Sequence, residues 1–327
     1  MAKSWREWEK PLIELEENLA KLEDLLKTAT PEQRSELQPR VDDFKKRRDN
    51  YITVMYGRLG PWEKVLVARA DKRPYTLDYI AQIFTDFTEL QGDRRVGADN
   101  AIIGGPARLD GMPVMVVGHQ KGRNIQERQY RNFAMAKPEG YRKAIRLFEM
   151  ADRFKMPIIT LVDTPAADPG VESESRGISE AIAASMLKMF EVKVPSVSVV
   201  IGEGGSGGAI GIAVANAVLM QEHAIYSVIP PEGCAAILWR MPEKGAQAAA
   251  ALRLTAQSAF ELGLIDEIVS EPWGAAHRNP AEAAQLVKEA ILKHLEPLKN
   301  LSGEQLKAAR YDKFRAMGIF ESATVPV

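Results

Sequence analysis

Residues 199–220 read VVIGEGGSGGAIGIAVANAVLM. Six glycines stand between Gly202 and Gly211, and the stretch contains no Lys, Arg, His or Cys. An apolar strand-like run leads in and an apolar helix-like run leads out. Three motif definitions fit. Gly202-x-Gly204-x-x-Gly207 matches the dinucleotide fingerprint, with Glu222 as the following acidic residue. That motif belongs in the first strand–helix–strand unit of its domain, and here several such units precede it. Gly204-x-Ser206-x-Gly208 matches the nucleophile elbow of a serine hydrolase, with Asp266 and His277 downstream in triad order. The third reading uses no side chain. Glycines at a helix start let a substrate approach the backbone, and the first-turn amides have no intrahelical acceptor. With the helix dipole they form an anion site, or an oxyanion hole where charge develops during reaction.

Outside this stretch the chain sets wide bounds. Its 327 residues carry a formal net charge of −1, so no overall basic field points to nucleic acid or an anionic membrane. A lone cysteine, Cys234, rules out an internal disulfide or a Cys-based zinc site and suits a reducing, cytoplasmic setting. The opening MAKSWREWEK is charged and lacks the apolar core of a signal peptide. The glycine-rich run is too broken to span a bilayer.

Apolar residues at Leu12, Leu15, Leu19, Leu22 and Leu26 form a heptad seam. Thr30, Pro31 and Gln33 then give an N-cap, a first-turn proline and a capping box. A second seam follows at Leu37, Val41, Phe44, Tyr51 and Met55, which predicts an antiparallel helical hairpin over residues 8–57. In the body, TLDYIAQIFTDFTEL reads as a helix. AIIGGPARLD and PVMVVGHQ read as strands joined at Asp110-Gly111. YRKAIRLFEMADRF, PIITLVDT, ISEAIAASMLKMF and PSVSVVIG continue as helix, strand, helix and strand, and AEAAQLVKEAILKHL closes the body as a helix. The alternation argues for an α/β fold with right-handed crossovers and a site beyond the carboxyl ends of its strands. The expected organisation is a helical hairpin at 1–58, one catalytic domain at 59–300 and a helical tail at 301–327. His119, at an apolar strand end, reads as a satisfied structural histidine.

IGEGGSGGA, DGMPVMVVGHQKGR, PEGYRKA, RFKMPIITLVDTP, YSVIPPEGCAAILW and GAAHRNP together resemble the alpha subunit of the carboxyltransferase component of acetyl-CoA carboxylase. The resemblance runs from about Leu12 to about Gly318. It implies a crotonase-like fold, a spiral of ββα units behind the N-terminal two-helix hairpin. It implies transfer of a carboxyl group from carboxybiotin, held on a separate biotin carboxyl carrier protein, to acetyl-CoA, giving malonyl-CoA for fatty acid synthesis. The implied partners are a beta subunit with a four-Cys zinc ribbon, in an α2β2 core, and biotin carboxylase. No metal is implied in this chain.

By the same match, the amides of Gly208 and Ala209 would stabilise charge on the biotin ureido oxygen, with Gly207 shaping the approach. Gly204, Gly205, Pro165, Ala166 and Gly170 would line the biotin pocket. Apart from that match, the basic residues Lys121 and Arg123 in HQKGR, and Arg142 and Lys143 in GYRKA, are candidates to meet CoA phosphates near the subunit junction. One departure stands out. The family usually reads D-T-P-G-A-Y-P-G, and here residues 163–170 read DTPAADPG. Ala166 replaces a glycine and Asp168 a tyrosine. That leaves open an altered acyl preference or a non-catalytic scaffold beside a working subunit.

Overall fold

The computed structural model describes residues 5–318. Two antiparallel helices lead, α1 (Trp5–Thr28) and α2 (Pro31–Tyr56). The turn between them is closed by the expected capping box. Gln33 N–H donates to the Thr30 hydroxyl, and the Gln33 side chain accepts from the Thr30 amide. Leu12 and Leu19 are buried, while Leu15, Leu22 and Leu26 are half-buried. On α2 the seam differs from expectation. Tyr51 is exposed, and Ile52 and Tyr56 take the buried positions with Val41. A straight helix turns every 3.6 residues, so its buried face drifts off a strict heptad within a few turns. Leu12, Ile52 and Tyr56 pack on Val67 and Ala275 of the body.

The body opens with α3 (Pro61–Ala68) and α4 (Thr76–Ile83). The expected helix over residues 76–90 therefore stops early. Residues 85–90 instead run beside the first strand with a bend at Asp86, Thr85 bridging Arg108 and the amides of Thr88 and Leu90 donating to Pro106 and Gly104 carbonyls. Strand β1 (Ile102–Leu109) pairs antiparallel with β2 (Met112–His119). Asp110 and Gly111, both at positive φ (48° and 81°), make the tight turn between them. Then come α5 (Ile125–Tyr130), α6 (Pro138–Arg153), β3 (Ile158–Thr164), α7 (Val171–Ser175), α8 (Ile178–Glu191), β4 (Ser196–Gly205) and α9 (Ser206–Ala213). Strand β5 (Ala217–Gln221) occupies residues that read as the end of a helix. A short buried apolar run does not distinguish the two by pattern. After β6 (Ile225–Ser227) follow α10 (Pro231–Trp239), α11 (Gly245–Leu252), α12 (Ala256–Glu261), β7 (Glu267–Val269), α13 (Pro280–Leu298) and α14 (Gly303–Arg315).

The sheet runs β1-β2-β3-β4-β5-β7, and every pair after the first hairpin is parallel. Strand β6 pairs with the last three residues of β4. Alternate residues of β3 face opposite cores. Ile158 and Val162 join the layer of α6, α8 and α9, while Ile159 and Leu161 join the layer of α4 and α13. Helix α14 is tied on by the buried Arg310, which donates to the carbonyls of Met189, Val192 and Val194. The remainder of the expected tail, residues 319–327, lies outside the described residues.

Candidate active site

The glycine-rich stretch is the junction of β4 and α9, at the carboxyl edge of the parallel sheet. Ser206 opens the helix at φ 49°, a left-handed conformation that turns the chain sharply out of the strand. In a helix starting there, the amides of Ser206, Gly207 and Gly208 precede the first i→i−4 bond. The Ala209 amide is the first with a helical acceptor, the Gly205 carbonyl. Of the expected donors, Gly208 thus falls among the first-turn amides and Ala209 one position beyond them. Gly207 is half-buried, and Gly208 and Ala209 are buried.

The loop after β3 presses on this turn. The Pro165 carbonyl packs against Gly205, and the Ala166–Ala167 peptide packs against Gly208. A Cβ built on Gly208 would sit 2.5 Å from the Ala166 carbonyl carbon, so only glycine fits without moving backbone. Behind the helix, the Tyr141 hydroxyl donates to the Gly208 carbonyl at 3.3 Å and Ser185 Oγ donates to the Gly211 carbonyl at 2.6 Å. Pro165, Ala166, Gly204 and Gly205 are therefore brought together with Gly207 and Gly208. Gly170 stands further along the loop, as the N-cap of α7.

Both departures from the family pattern have a local account. Ala166 is not among the described residues at positive φ, so its methyl group introduces no left-handed strain. Asp168 is held within the protein. Ser173 Oγ donates to its carboxylate at 2.5 Å, Asn132 Nδ2 donates at 3.2 Å, and the Asp168 amide donates to the Ala136 carbonyl at 3.0 Å.

The side chains required by the other two motif readings are dispersed. Asp266 accepts from the Val218 amide and pairs with Lys313. His277 lies at the junction with the hairpin, 3.2 Å from the Tyr56 hydroxyl and 3.4 Å from Glu9. Ser206 therefore meets neither triad partner. The parallel strands follow one another in chain order, without the reversal at which dinucleotides bind.

A chain of charges, buried at Asp163 and Glu203, borders the turn, and sequence reasoning missed its carboxylates. Lys121 Nζ lies 2.7 Å from Asp163 Oδ1 and 2.9 Å from Glu203 Oε2. Arg69 Nε lies 2.7 Å from Glu203 Oε1, and its Nη1 lies 2.6 Å from Glu232. Burial by itself would raise the Glu203 pKa, but Lys121 and Arg69 outweigh it and hold the carboxyl at about 2. The one available signal was a carboxylate closing each of two apolar strands, IITLVD and VSVVIGE. Lys121 and Glu203 line a cavity of about 260 Å³ with Tyr75, Arg128, Phe133 and Pro165.

The four basic residues expected at CoA do not converge. Lys121 is engaged by two carboxylates. Arg123 stacks over Tyr75 at 4.0 Å and pairs with Asp78. Arg142 donates to the Arg176 carbonyl at 2.7 Å on another face. Lys143 corrects the expectation outright. It is fully buried and donates to the Asp99 carbonyl at 2.7 Å, out of reach of a phosphate. His119 is corrected too. It is fully buried, yet neither ring nitrogen has a hydrogen-bond partner. Burial drives its pKa down to about 3, and the Gly208 backbone is only a weak counterweight, so the ring is neutral.

Comparison with known proteins decides the family. The family model described as "Acetyl co-enzyme A carboxylase carboxyltransferase-like" matches residues 5–318. The acetyl-coenzyme A carboxylase carboxyl transferase subunit alpha of Geobacter metallireducens is 54% identical over 314 residues, which cover 96% of this chain and 97% of that one. Its Fusobacterium nucleatum counterpart is 50% identical over 308 residues, covering 94% and 98%. The chain belongs to the acetyl-CoA carboxylase carboxyltransferase alpha-subunit family. Members of this family are subunits of biotin-dependent carboxyltransferases. The fold agrees. The chain superposes on transcarboxylase 12S with a TM-score of 0.55 at 22% identity, covering 69% of this chain and 42% of that one. The α/β architecture is thus the crotonase-like one of carboxyltransferases. Among the described residues no helix is long and apolar enough to cross a membrane, and no group of three or more His, Cys, Asp or Glu is placed to hold a metal ion.

Proposed function

We propose that this chain is the carboxybiotin side of a composite carboxyltransferase that converts acetyl-CoA to malonyl-CoA. The acyl-CoA side falls to a beta subunit with a four-Cys zinc ribbon, in an α2β2 core. A biotin carboxyl carrier protein delivers the carboxyl group after biotin carboxylase has loaded it, and the assembly works in the cytoplasm. The observation that carries this reading is the β4–α9 turn. It offers main-chain amides beneath a tightly packed loop, and its one hydroxyl, Ser206, meets neither Asp266 nor His277, which are engaged elsewhere.

The residues present fit the biotin head group. Gly208 admits no side chain beside Ala166, so the backbone itself forms the wall of the site. When bound, carboxybiotin supplies the carboxyl group to be transferred. The amides of Gly207 and Gly208 would be the donors offered to negative charge on its ureido oxygen, and one such donor is worth about 3–4 kcal/mol. Ala209 anchors the helix behind them. Gly204, Gly205, Pro165, Ala166 and Gly170 shape the approach. The rest of the task is to hold two reactants in line and exclude water, which supplies several kcal/mol more.

The test is reconstitution. The pure chain should not carboxylate acetyl-CoA from carboxybiotin, and a mixture with a beta subunit and carboxylated carrier should. Equal rates for the chain alone and the mixture would overturn the composite site, and an inert mixture would overturn the transferase reading.

A further inference from the structure

Lys121 does more than neutralise two carboxylates. Asp163 Oδ1, at the end of β3, receives both Lys121 Nζ and the Glu203 amide, at 2.7 and 2.9 Å. Gly202 has no room for a side chain there, because a Cβ would lie 2.3 Å from that same oxygen. Glu203 in turn binds Lys121 with one carboxylate oxygen and Arg69 with the other. Arg69 continues to Glu232 in the first turn of α10. Five alternating charges thus join the loop after β2, the ends of β3 and β4, the end of α3 and the start of α10.

Glu203 is also the last residue before the turn with a side chain to hold. Gly204 and Gly205, which separate it from Ser206, are held only through their backbones, by pairing with β6 and, at Gly204, with Thr164 of β3. Glu203 is thus the side-chain anchor of the strand end from which the following amides project. Burying such a charge chain is costly compared with apolar packing, and it is kept where a unique geometry is the gain.

We propose that Lys121 is a positioning residue for the carboxyl-transfer turn, holding Asp163 and Glu203 so that the Gly207 and Gly208 amides are presented to the developing charge. The proposal rests on the transferase reading above. It assigns Lys121 to the backbone scaffold and not to a CoA phosphate.

The experiment uses the full chain reconstituted with beta subunit and carboxylated carrier, after folding and assembly have been checked. Lys121→Met leaves Asp163 and Glu203 facing each other, with Arg69 against Glu203, Arg73 further round Asp163, and the neutral Tyr75, Tyr79 and His119 nearby. One carboxylate then takes up a proton, and its release as pH rises sets two like charges against each other beneath the turn. The expected result is a kcat lowered roughly 30-fold or more, with KM for acetyl-CoA changed by less than about threefold, as for loss of oxyanion-type donor geometry. That kcat should fall further as pH rises, more steeply than in the wild type. Adding Asp163→Asn removes the surplus charge while keeping an oxygen for the Glu203 amide, and should recover about tenfold. A wild-type kcat in Lys121→Met, a raised KM alone, or a double variant no better than the single one overturns the proposal. If Lys121→Met does not assemble, the charge-neutral double variant is read alone. Lowered kcat at unchanged KM supports positioning, and raised KM alone overturns it. An inactive wild-type mixture indicts the transferase reading instead.

Discussion

Gly208 and Ala166 touch backbone to backbone. A Cβ built on Gly208 would lie 2.5 Å from the Ala166 carbonyl carbon and 2.6 Å from the Ala167 nitrogen. No side-chain rotation relieves that contact. Gly208→Ala should therefore displace either the loop after β3 or the first turn of α9, and Gly208→Val should do so further. Loss of one oxyanion-type donor costs about 10²–10³ in kcat, which sets the expected range for Gly208→Val. Malonyl-CoA formation by the reconstituted complex measures it, and an active Gly208→Val variant would remove the turn from the mechanism.

Ser206 gives the opposite expectation. Its left-handed φ of 49° resembles a nucleophile elbow, yet Asp266 and His277 are engaged elsewhere. If its contribution is only backbone, Ser206→Ala should cost roughly tenfold or less in rate, whereas loss of a true nucleophile costs on the order of 10⁴-fold or more. Ser206→Gly should raise stability by up to about 1 kcal/mol, because glycine adopts that φ without strain. Turnover paired with a denaturant midpoint separates the two readings, and a dead Ser206→Ala complex would favour a hydrolase.

How much of this was legible depended on whether the signal was local. Thr30 with Gln33, and Asp110 with Gly111, announce a cap and a turn through their own backbone demands, and both are present. The glycine pattern of 202–208 announced close backbone approach without naming the neighbour, which comes from the loop 165–167, some 40 residues earlier. Strand β5 was read as helix because AVLMQ is buried on both faces and shows no period. Asp163 and Glu203 were overlooked because each ends an apolar run, and only the fold brings Lys121 and Arg69 to them. Lys143 looked like a phosphate ligand because helical spacing does not reveal that this face of α6 covers Asp99.

The buried pair of Arg73 and Glu271 predicts an acid-sensitive fold. Arg73 donates to Glu271 through both terminal nitrogens, at 2.8 and 2.6 Å, and its Nε donates to the Ile201 carbonyl of β4. Burial by itself would raise the Glu271 pKa. The Arg73 charge and hydrogen bonds outweigh it, and the value falls from 4.5 to about 2. A folded-state pKa below the unfolded one means stability that is present above pH 4.5 and is lost as pH falls towards 2, roughly 3 kcal/mol for this group. Glu203 has the same sign, while Asp163, raised by burial, offsets part of it. Urea midpoints at pH 7 and pH 3 should show the loss. Glu271→Gln should be about 3–5 kcal/mol less stable at pH 7, because Arg73 is left buried and unpaired. The variant should also lose less on acidification, and an unchanged pH slope would count against the assignment.

Asp168 decides whether the departure from the family pattern alters the acyl group accepted. Its carboxylate is taken up by Ser173 and Asn132, and its amide by the Ala136 carbonyl, so it stitches the loop after β3 to α7 and to residues 132–136. A group used in that way stiffens the loop over Gly208 but reads no substrate. Asp168→Ala breaks two hydrogen bonds, and should cost about 1–3 kcal/mol in stability and roughly three- to tenfold in kcat through a looser loop. Asp168→Asn keeps one acceptor oxygen, for Asn132, while its Nδ2 donates to Ser173 Oγ in place of the lost acceptor, and should cost less. Neither change should alter discrimination. The ratio of kcat/KM for acetyl-CoA to that for propionyl-CoA should stay within about twofold of wild type, because uniform loosening lowers both transition states' stabilisation alike. Parallel assays of the two acyl-CoAs with the reconstituted complex give that ratio directly. A shift of about fivefold or more in either variant would mean that Asp168 reaches the acyl group, and that its replacement of a tyrosine changed what the enzyme carboxylates.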